Sequence, residues 1–262
     1  MSSSGIENLP SDDPEVIEEM AEIAKSYITR RQHHASLVIW CGGNELMGKE
    51  GKETGAVNKP VDDSCAMIRR LADIAKEMDP ARRFLFTSPS GPVFYAQEEN
   101  FGKGLHWHVH GPWKPSGSLE DWKRYWENDD SLCRSETGAP GSSSAEMIRR
   151  FAGGLDVMPA KPENPLWRRG STWWIEWDVF LSEKGREPES LEEYVEWSQQ
   201  RQAKALLIAV KSCKSRFPRC GLVILWMGHD CFPCTANTSI VDFDGEPKPA
   251  ALALKETWRE RC

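Results

Sequence analysis

The sequence predicts an α/β protein whose strands lie parallel to one another. Two observations support this prediction. Short apolar runs, each too short for a helix, alternate along the chain with amphipathic segments of helical period. Polar and glycine residues follow directly after several of these runs, as they do at the carboxyl edge of a parallel sheet. The 262 residues suit a single domain, which we expect to cover residues 1–262.

Five segments have the pattern of helices. They are Pro14–Gln32, Asp63–Met78, Asp121–Glu127, Ser190–Phe217 and Lys248–Arg261. Asp12 or Asp13 is a suitable N-cap for the first helix, and Pro14 suits its first turn. Its predicted apolar stripe consists of Val16, Met20, Ile23, Ala24, Tyr27 and Ile28. Ser190 and Glu193 form a capping-box pattern at the start of the fourth helix.

Five short segments are predicted to be strands. They are Leu37–Cys41, Phe84–Thr87, Leu105–His108, Ser131–Ser135 and Leu222–Trp226. Alternation with helices favours right-handed crossovers and a barrel with polar chemistry at one mouth. A doubly wound nucleotide-binding sheet is the main alternative, but no glycine-rich phosphate loop follows any strand. We expect residues 139–189, rich in Gly, Pro and Trp, to form a long irregular insert.

Composition excludes several classes of partner. A formal net charge of -7 argues against a general nucleic-acid binder, which needs a basic face. Membrane association is not expected either, because no apolar run approaches the ~20 residues that span a bilayer. The first residues lack the basic and apolar regions of a signal peptide. These features predict a cytoplasmic protein, although the original compartment is left open.

The eight cysteines show no disulfide framework, because their spacing is irregular. Only Cys231 and Cys234 are close in sequence, and we interpret them as loop cysteines. A redox pair is one alternative. A zinc site that also uses His229 is another.

Two glutamates, Glu45 and Glu136, stand at the ends of predicted strands and would point into the same barrel mouth. Glycoside hydrolysis with retention needs two carboxyl groups about 5–5.5 Å apart. Aromatic side chains are natural partners for the apolar C–H faces of sugar rings. Those near predicted strand ends are Trp40, Trp107, Trp113 and Trp226. The candidates for binding sugar hydroxyls are Asn44, His108 and His110.

Three motifs together resemble those of family 2 glycoside hydrolases, above all the β-mannosidase branch. Ser36-Leu-Val-Ile-Trp-Cys-Gly-Gly-Asn-Glu-Leu46 resembles the acid/base strand, and Arg134-Ser-Glu-Thr-Gly138 resembles the nucleophile motif. Leu105-His-Trp-His-Val-His-Gly-Pro-Trp113 resembles a strand that lines the pocket. The last helix, last strand and tail also match, so the resemblance extends from about residue 12 to the end of the chain.

The resemblance implies a retaining exo-β-glycosidase in which Glu45 is the general acid/base and Glu136 the nucleophile. It implies that Asn44 binds the 2-hydroxyl of the sugar and that Trp226 lines the sugar site. The remaining expected substrate-binding residues are Trp107, His108, His110, Trp113, His229 and Asp230. A β-glycoside or oligosaccharide is the expected partner, and neither a metal nor an organic cofactor is implied. Thr137 and the segment Trp226-Met-Gly-His-Asp230 depart from the family pattern, which leaves the identity of the sugar open.

By the same resemblance, the chain corresponds to a truncated (β/α)8 TIM barrel of about five parallel strands, equivalent to strands 4–8. Such a half-barrel has two open edges, at Leu37–Cys41 and Leu222–Trp226. The chain could be poorly stable alone, the insert could cover the gap, or a homodimer could bury the edges; we favour the homodimer. A catalytically weak or inactive carbohydrate-binding relic is the alternative to an active enzyme.

Overall fold

The structure, a computed structural model, describes residues 11–47 and 59–260. It confirms the α/β fold with small parallel sheets. The described residues form two compact units. The first contains the residues up to His110 together with Asp130–Ser135, and the second contains Gly111–Asp129 together with the residues from Glu136 onward.

The first unit holds two helices packed on two parallel strands. Its elements are α1 (Pro14–Arg31), β1 (Ile39–Cys41), α2 (Ala66–Met78), β2 (Arg83–Leu85), a 3-10 turn (Glu98–Asn100), β3 (Val109–His110) and the first three residues of β4 (Cys133–Thr137). β1 pairs with β2 in parallel, with Trp40 opposite Phe84. The predicted third strand, Leu105–His108, is wrong in position: none of it is in a strand, and β3 begins one residue later, at Val109.

Helix α1 begins where the sequence predicts. Its N-cap is Asp13, whose carboxylate accepts from the Glu15 amide at 2.9 Å. The predicted apolar stripe is wrong for half of its members, since Val16, Ile23 and Tyr27 are exposed. The buried face is narrower and consists of Ala21, Ala24 and Ile28, and it belongs to the core that α1 shares with α2.

Strand β1 is less buried than its apolar sequence predicts. Val38, just before it, is 70% exposed, and Ile39 is 38% exposed. Within the described residues β1 has one strand neighbour, β2, which accounts for this exposure. Trp40 is the exception, because its ring is buried and its indole N–H donates to Asp79 at 2.8 Å.

The second unit is built around one long helix. Its elements are α3 (Leu119–Asn128), the end of β4, β5 (Gly141–Ser142), α4 (Ala145–Arg150), two 3-10 turns (Trp167–Arg169 and Thr172–Trp174), α5 (Trp177–Lys184), α6 (Leu191–Ser215), β6 (Leu222–Leu225), β7 (Ala236–Asn237) and α7 (Pro249–Arg259). Residues 139–189 are therefore less irregular than expected, because α4 and α5 and both turns fall inside them. β5 and β7 pair antiparallel.

Helix α6 organises the core of the second unit. Ser190 caps it by accepting from the Glu193 amide at 3.2 Å, which is half of the predicted capping box. The Glu193 carboxylate accepts from the Glu189 amide at 2.6 Å and not from that of Ser190. Helices α3 and α7 both pack against it. Gln202 is fully buried, and its amide group donates to the carbonyls of Ala139, Thr238 and Ser239. This one side chain thereby ties β5 to the loop that follows β7.

Strand β6 adjoins β4, and the Trp226 amide just after it donates to the Thr137 carbonyl at 2.7 Å. The end of β4 is thus held in place by β6. Among the described residues, no helix has the length and apolar content to cross a membrane.

Candidate active site

Glu45 lies in the turn that follows β1 in the first unit. A side chain at Gly42 would place its Cβ 2.5 Å from the Phe86 carbonyl oxygen, so glycine is required where the chain leaves the strand. Glu45 itself has a φ of 49°, in the left-handed region that non-glycine residues rarely adopt. Its amide donates to the Ser88 carbonyl at 2.6 Å, which fixes the turn against the end of β2.

The Glu45 carboxylate is held by a buried histidine. His110 Nδ1 lies 2.9 Å from Glu45 Oε1, and the histidine side chain is 1% exposed whereas that of Glu45 is 19% exposed. His110 therefore orients the Glu45 carboxylate, and part of the glutamate side chain remains exposed to solvent. Asn44, the expected ligand of the 2-hydroxyl, is exposed beside it.

His108 lies in the same unit and is also buried. Its Nδ1 lies 2.8 Å from the Ser90 hydroxyl and its Nε2 lies 2.5 Å from the Ser135 hydroxyl. Burial lowers the pKa of His108 to about 4, with smaller contributions from His110 and Arg83. At neutral pH this imidazole is uncharged.

Glu136 lies in the second unit, at the end of β4. The indole N–H of Trp113 donates to its Oε1 at 2.8 Å, and the residue is 9% exposed. Gly138 follows closely, and a Cβ there would lie 2.5 Å from the Trp226 carbonyl oxygen. Thr137, which departs from the family pattern, is fully buried, and its hydroxyl donates to the Pro112 carbonyl at 2.7 Å. That departure therefore contributes to the strand end and not to an exposed surface.

Four tryptophans form a continuous cluster in the second unit, next to Glu136. Ring centroids are 6.0 Å apart for Trp113 and Trp173, 4.5 Å for Trp173 and Trp174, and 5.6 Å for Trp174 and Trp226. Trp173 is 48% exposed. Sequence reasoning selected Trp113 and Trp226 as site residues but not the pair between them. The adjacent Trp173-Trp174 in a Gly- and Pro-rich segment was the available signal.

A second buried acid lies next to this cluster in sequence. Glu176 is 4% exposed, and burial raises its pKa to about 7, although the nearby Arg201 opposes the shift. Arg201 Nε lies 3.5 Å from Glu176 Oε1. Among the described residues Glu176 Oε2 is buried without a hydrogen-bond partner, which is consistent with a carboxyl group that is partly protonated near neutral pH.

We expect the stability of the protein to fall as Glu176 ionises. Between its ordinary pKa of 4.5 and about 7 the folded state binds the proton and the unfolded state does not, so the free energy of unfolding decreases with rising pH. The decrease due to this residue is about 3 kcal/mol across that window. In Glu176→Gln it should be absent, as measured by urea denaturation at pH 4.5, 6 and 7.5. The exposed Glu163→Gln variant is the control, and a parallel pH dependence in all three proteins would contradict this assignment.

The remaining expected site residues have different surroundings. Trp107 is 58% exposed and His229 is exposed. Asp230, by contrast, is fully buried, and it accepts from Asn237 at 3.1 Å and from the Ser239 hydroxyl at 2.6 Å. Its carboxylate holds the loop after β6 together, which leaves little of it to contact a substrate.

The zinc alternative is not supported by the described residues. Within them, His229, Cys231 and Cys234 do not bring their ligand atoms within 4.8 Å of one another. Cys231 is an exposed free thiol, and Cys234 is a buried one. Burial raises the pKa of Cys234 to about 12, and the nearby Asp230 adds to the shift, so at neutral pH this thiol is protonated.

Comparisons with known proteins agree with the motifs. Residues 2–130 match the family model for the TIM barrel domain of family 2 glycosyl hydrolases. β-Mannosidase B of Thermothelomyces thermophilus is 26% identical over 92% of this chain, and that of Emericella nidulans is 23% identical over 94%. The chain spans 30% of the length of each of these two relatives.

Solved structures extend the likeness to the fold. A β-D-mannosidase from Dictyoglomus thermophilum superposes with a TM-score of 0.69 at 20% identity, covering 95% of this chain and 30% of that one. An exo-chitosanase from Amycolatopsis orientalis superposes with a TM-score of 0.57 at 12% identity, covering 93% of this chain and 28% of that one. At these identities the likeness is one of fold.

Proposed function

We propose that this chain, which belongs to the family 2 glycosyl hydrolases as part of their TIM barrel domain, acts as a retaining exo-β-glycosidase. Its substrates would be terminal β-linked sugars, with β-mannosides as the first candidates because the relatives that it matches are β-mannosidases. In this proposal Glu136 is the nucleophile and Glu45 is the general acid/base.

The surroundings of Glu136 are the observation that carries the proposal. Its carboxylate is largely buried, accepts the Trp113 indole N–H and adjoins the four-tryptophan cluster. This hydrogen bond fixes the orientation of the carboxylate, which a nucleophile requires. Aromatic faces with a few placed polar groups are typical of small-ligand sites, and they suit the apolar C–H face of a sugar ring.

Retention proceeds in two steps. In the first, a Glu136 oxygen attacks the anomeric carbon and forms a glycosyl ester, while Glu45 gives its proton to the departing glycosidic oxygen. In the second, the Glu45 carboxylate takes a proton from water as the water oxygen attacks the same carbon and releases Glu136. The two inversions give net retention of the β configuration.

The local contacts of Glu45 suit a residue that acts as an acid in the first step and as a base in the second. His110 occupies Oε1, and the side chain keeps some exposure to solvent. A general acid/base must exchange its proton with substrate and water, so a partly exposed carboxyl group suits this role.

A panel of nitrophenyl β-glycosides tests the proposal. The panel contains the mannoside, glucoside, galactoside, glucuronide and N-acetylglucosaminide, and release of nitrophenol is followed with the purified chain. We expect turnover of at least one substrate, and ¹H NMR should show the β-anomer of the free sugar as the first product. An α-anomer formed first would contradict retention. Binding of a glycoside without turnover would contradict the enzyme assignment and favour a carbohydrate-binding protein.

A further inference from the structure

Two cysteines of the second unit lie side by side where helix α6 ends. Cys213 is in the last turn of α6, and Cys220 lies in the loop between α6 and β6. They are 2% and 5% exposed, respectively, and both thiols are reduced. The side chain of Cys213 hydrogen-bonds to that of Cys220. We call these two residues the α6 dithiol pair.

The positive charge of Arg216 lies beside the pair. Its Nη2 donates to Cys213 Sγ at 3.6 Å, and the same nitrogen lies 2.5 Å from Oδ2 of the buried Asp129. The hydrogen bond from Cys213 and the charge of Arg216 lower the pKa of Cys220, although burial and Asp129 oppose the shift. The contact from Cys220 Sγ to the Leu222 carbonyl oxygen is long, at 3.7 Å, and retains the proton only weakly. Cys220 therefore has more thiolate character than an ordinary cysteine at neutral pH.

Both cysteines line a cavity of about 190 Å³. Much of the rest of its lining is apolar and comes from Phe217, Leu222 and Trp258. Because a water molecule takes up about 30 Å³ in the liquid, hydrogen peroxide, with only two oxygen atoms, fits this cavity. A peptide disulfide such as oxidised glutathione is charged and many times larger, so most of it would stay outside. The cavity therefore favours a small uncharged oxidant.

We propose that the α6 dithiol pair is a site that reacts with hydrogen peroxide, with Cys220 as the attacking thiolate and Cys213 as the resolving thiol. In the first step the Cys220 thiolate attacks one peroxide oxygen, the O–O bond breaks, and hydroxide leaves. Cys220 is thereby oxidised to a sulfenic acid and the peroxide is reduced. This chemistry does not depend on the proposed glycosidase activity.

The second step closes a disulfide. The Cys213 sulfur attacks the Cys220 sulfur, the S–O bond breaks, and the hydroxyl group leaves with the Cys213 proton as water. The proton that Cys220 gave up on ionisation converts the hydroxide of the first step to water. In total, two thiols and one hydrogen peroxide give one disulfide and two water molecules.

Mass spectrometry of the wild-type chain tests the site. The purified, reduced chain is treated with one equivalent of hydrogen peroxide at pH 7, and the remaining thiols are alkylated. Trypsin cleaves after Arg216 and Arg219, so a disulfide between Cys213 and Cys220 appears as two linked peptides, and fragment spectra show which cysteines are joined. We expect this linked species while the exposed Cys231 is still alkylated. Oxidation of Cys231 with the pair still reduced would overturn the proposal.

Single substitutions separate the two roles. In Cys213→Ser the hydroxyl keeps a hydrogen bond to Cys220 but cannot form a disulfide, so a sulfenic acid should accumulate at Cys220 and be trapped by dimedone. In Cys220→Ser, Cys213 should stay reduced. A dimedone adduct on Cys213 in the second variant, with none on Cys220 in the first, would overturn the assignment of roles.

Charge variants distinguish an activated thiolate from a pair that is merely exposed by unfolding. Asp129→Asn removes the charge that opposes Arg216, so the linked species should form about 3- to 10-fold faster than in the wild type, and Arg216→Gln should slow it by a similar factor. The exposed Arg219→Gln is the control and should have the wild-type rate. Circular dichroism checks that each variant is folded. Since unfolding would expose the thiols in either variant, faster oxidation in both would contradict the proposal, as would unchanged rates in both.

Discussion

Replacing Glu136 by glutamine is expected to abolish glycoside hydrolysis, with kcat lowered on the order of 10⁴-fold or more, as is usual when a nucleophile is removed. Glutamine keeps an oxygen that accepts the Trp113 indole N–H, so the fold around β4 should be unchanged. Activity is measured on the best substrate of the nitrophenyl panel, and folding is checked by circular dichroism and thermal unfolding. The exposed Glu163→Gln is the matched control and should retain full activity.

Azide separates the two glutamates by the stereochemistry of its product. In Glu136→Ala, azide attacks the anomeric carbon from the vacated side and should give the α-glycosyl azide. In Glu45→Ala the nucleophile is intact, and azide attacks the glycosyl ester, so the β-glycosyl azide should form. The reverse pairing would exchange the two roles. Wild-type activity in Glu136→Gln would exclude this residue as the nucleophile.

Removing the charge of Lys248 should destabilise the second unit more than any surface change. Lys248 is 3% exposed, and its Nζ donates to the Gly141 carbonyl and to the Ser239 hydroxyl, each at 3.1 Å. It also lies 3.7 Å from Asp230 Oδ2, which is fully buried. Lys248→Met keeps the apolar stem but leaves a buried carboxylate without its counter-ion. The expected loss is about 3–5 kcal/mol in the free energy of unfolding.

Two further variants make this prediction specific. Lys255→Met, on the exposed surface of α7, should change the free energy of unfolding by less than about 0.5 kcal/mol. In the double variant Lys248→Met/Asp230→Asn the uncompensated charge is gone, so part of the loss should be recovered. Equal destabilisation of the single and double variants in urea would show that packing, and not charge, accounts for the effect.

Local signals in the sequence predicted the helices well. Asp13 and Ser190 cap their helices as expected. The stripe of α1 was wrong because hydrophobicity alone does not reveal that the contact with α2 uses a narrow face containing Ala21 and Ala24. The start of β3 depends on tertiary contacts. The alternating residues Leu105–His108 have the two-residue period of a strand, but they do not pair with a neighbouring strand.

The site was predictable only where its residues follow strands. Glu45 and Glu136 could be found because each stands at the end of a predicted strand, and the resemblance assigned them roles. The partners of Glu45 could not be found in this way, since Ser88 and Ser135 are joined to it through bonds between residues that are distant in sequence. Asp230 looked like a ligand in a loop, and only its contact with Lys248 in the folded chain shows its structural role.

At position 45 the proposed chemistry and the stability of the fold favour different residues: the chemistry needs a glutamate, whereas the backbone conformation favours glycine. A left-handed conformation at a non-glycine residue costs about 1–3 kcal/mol. Glycine, or asparagine to a smaller degree, would relieve it, so selection for thermal stability alone should drive position 45 away from glutamate. A redesign of this chain for stability alone would therefore favour replacing the proposed acid/base, and the resulting protein would be more stable but inactive.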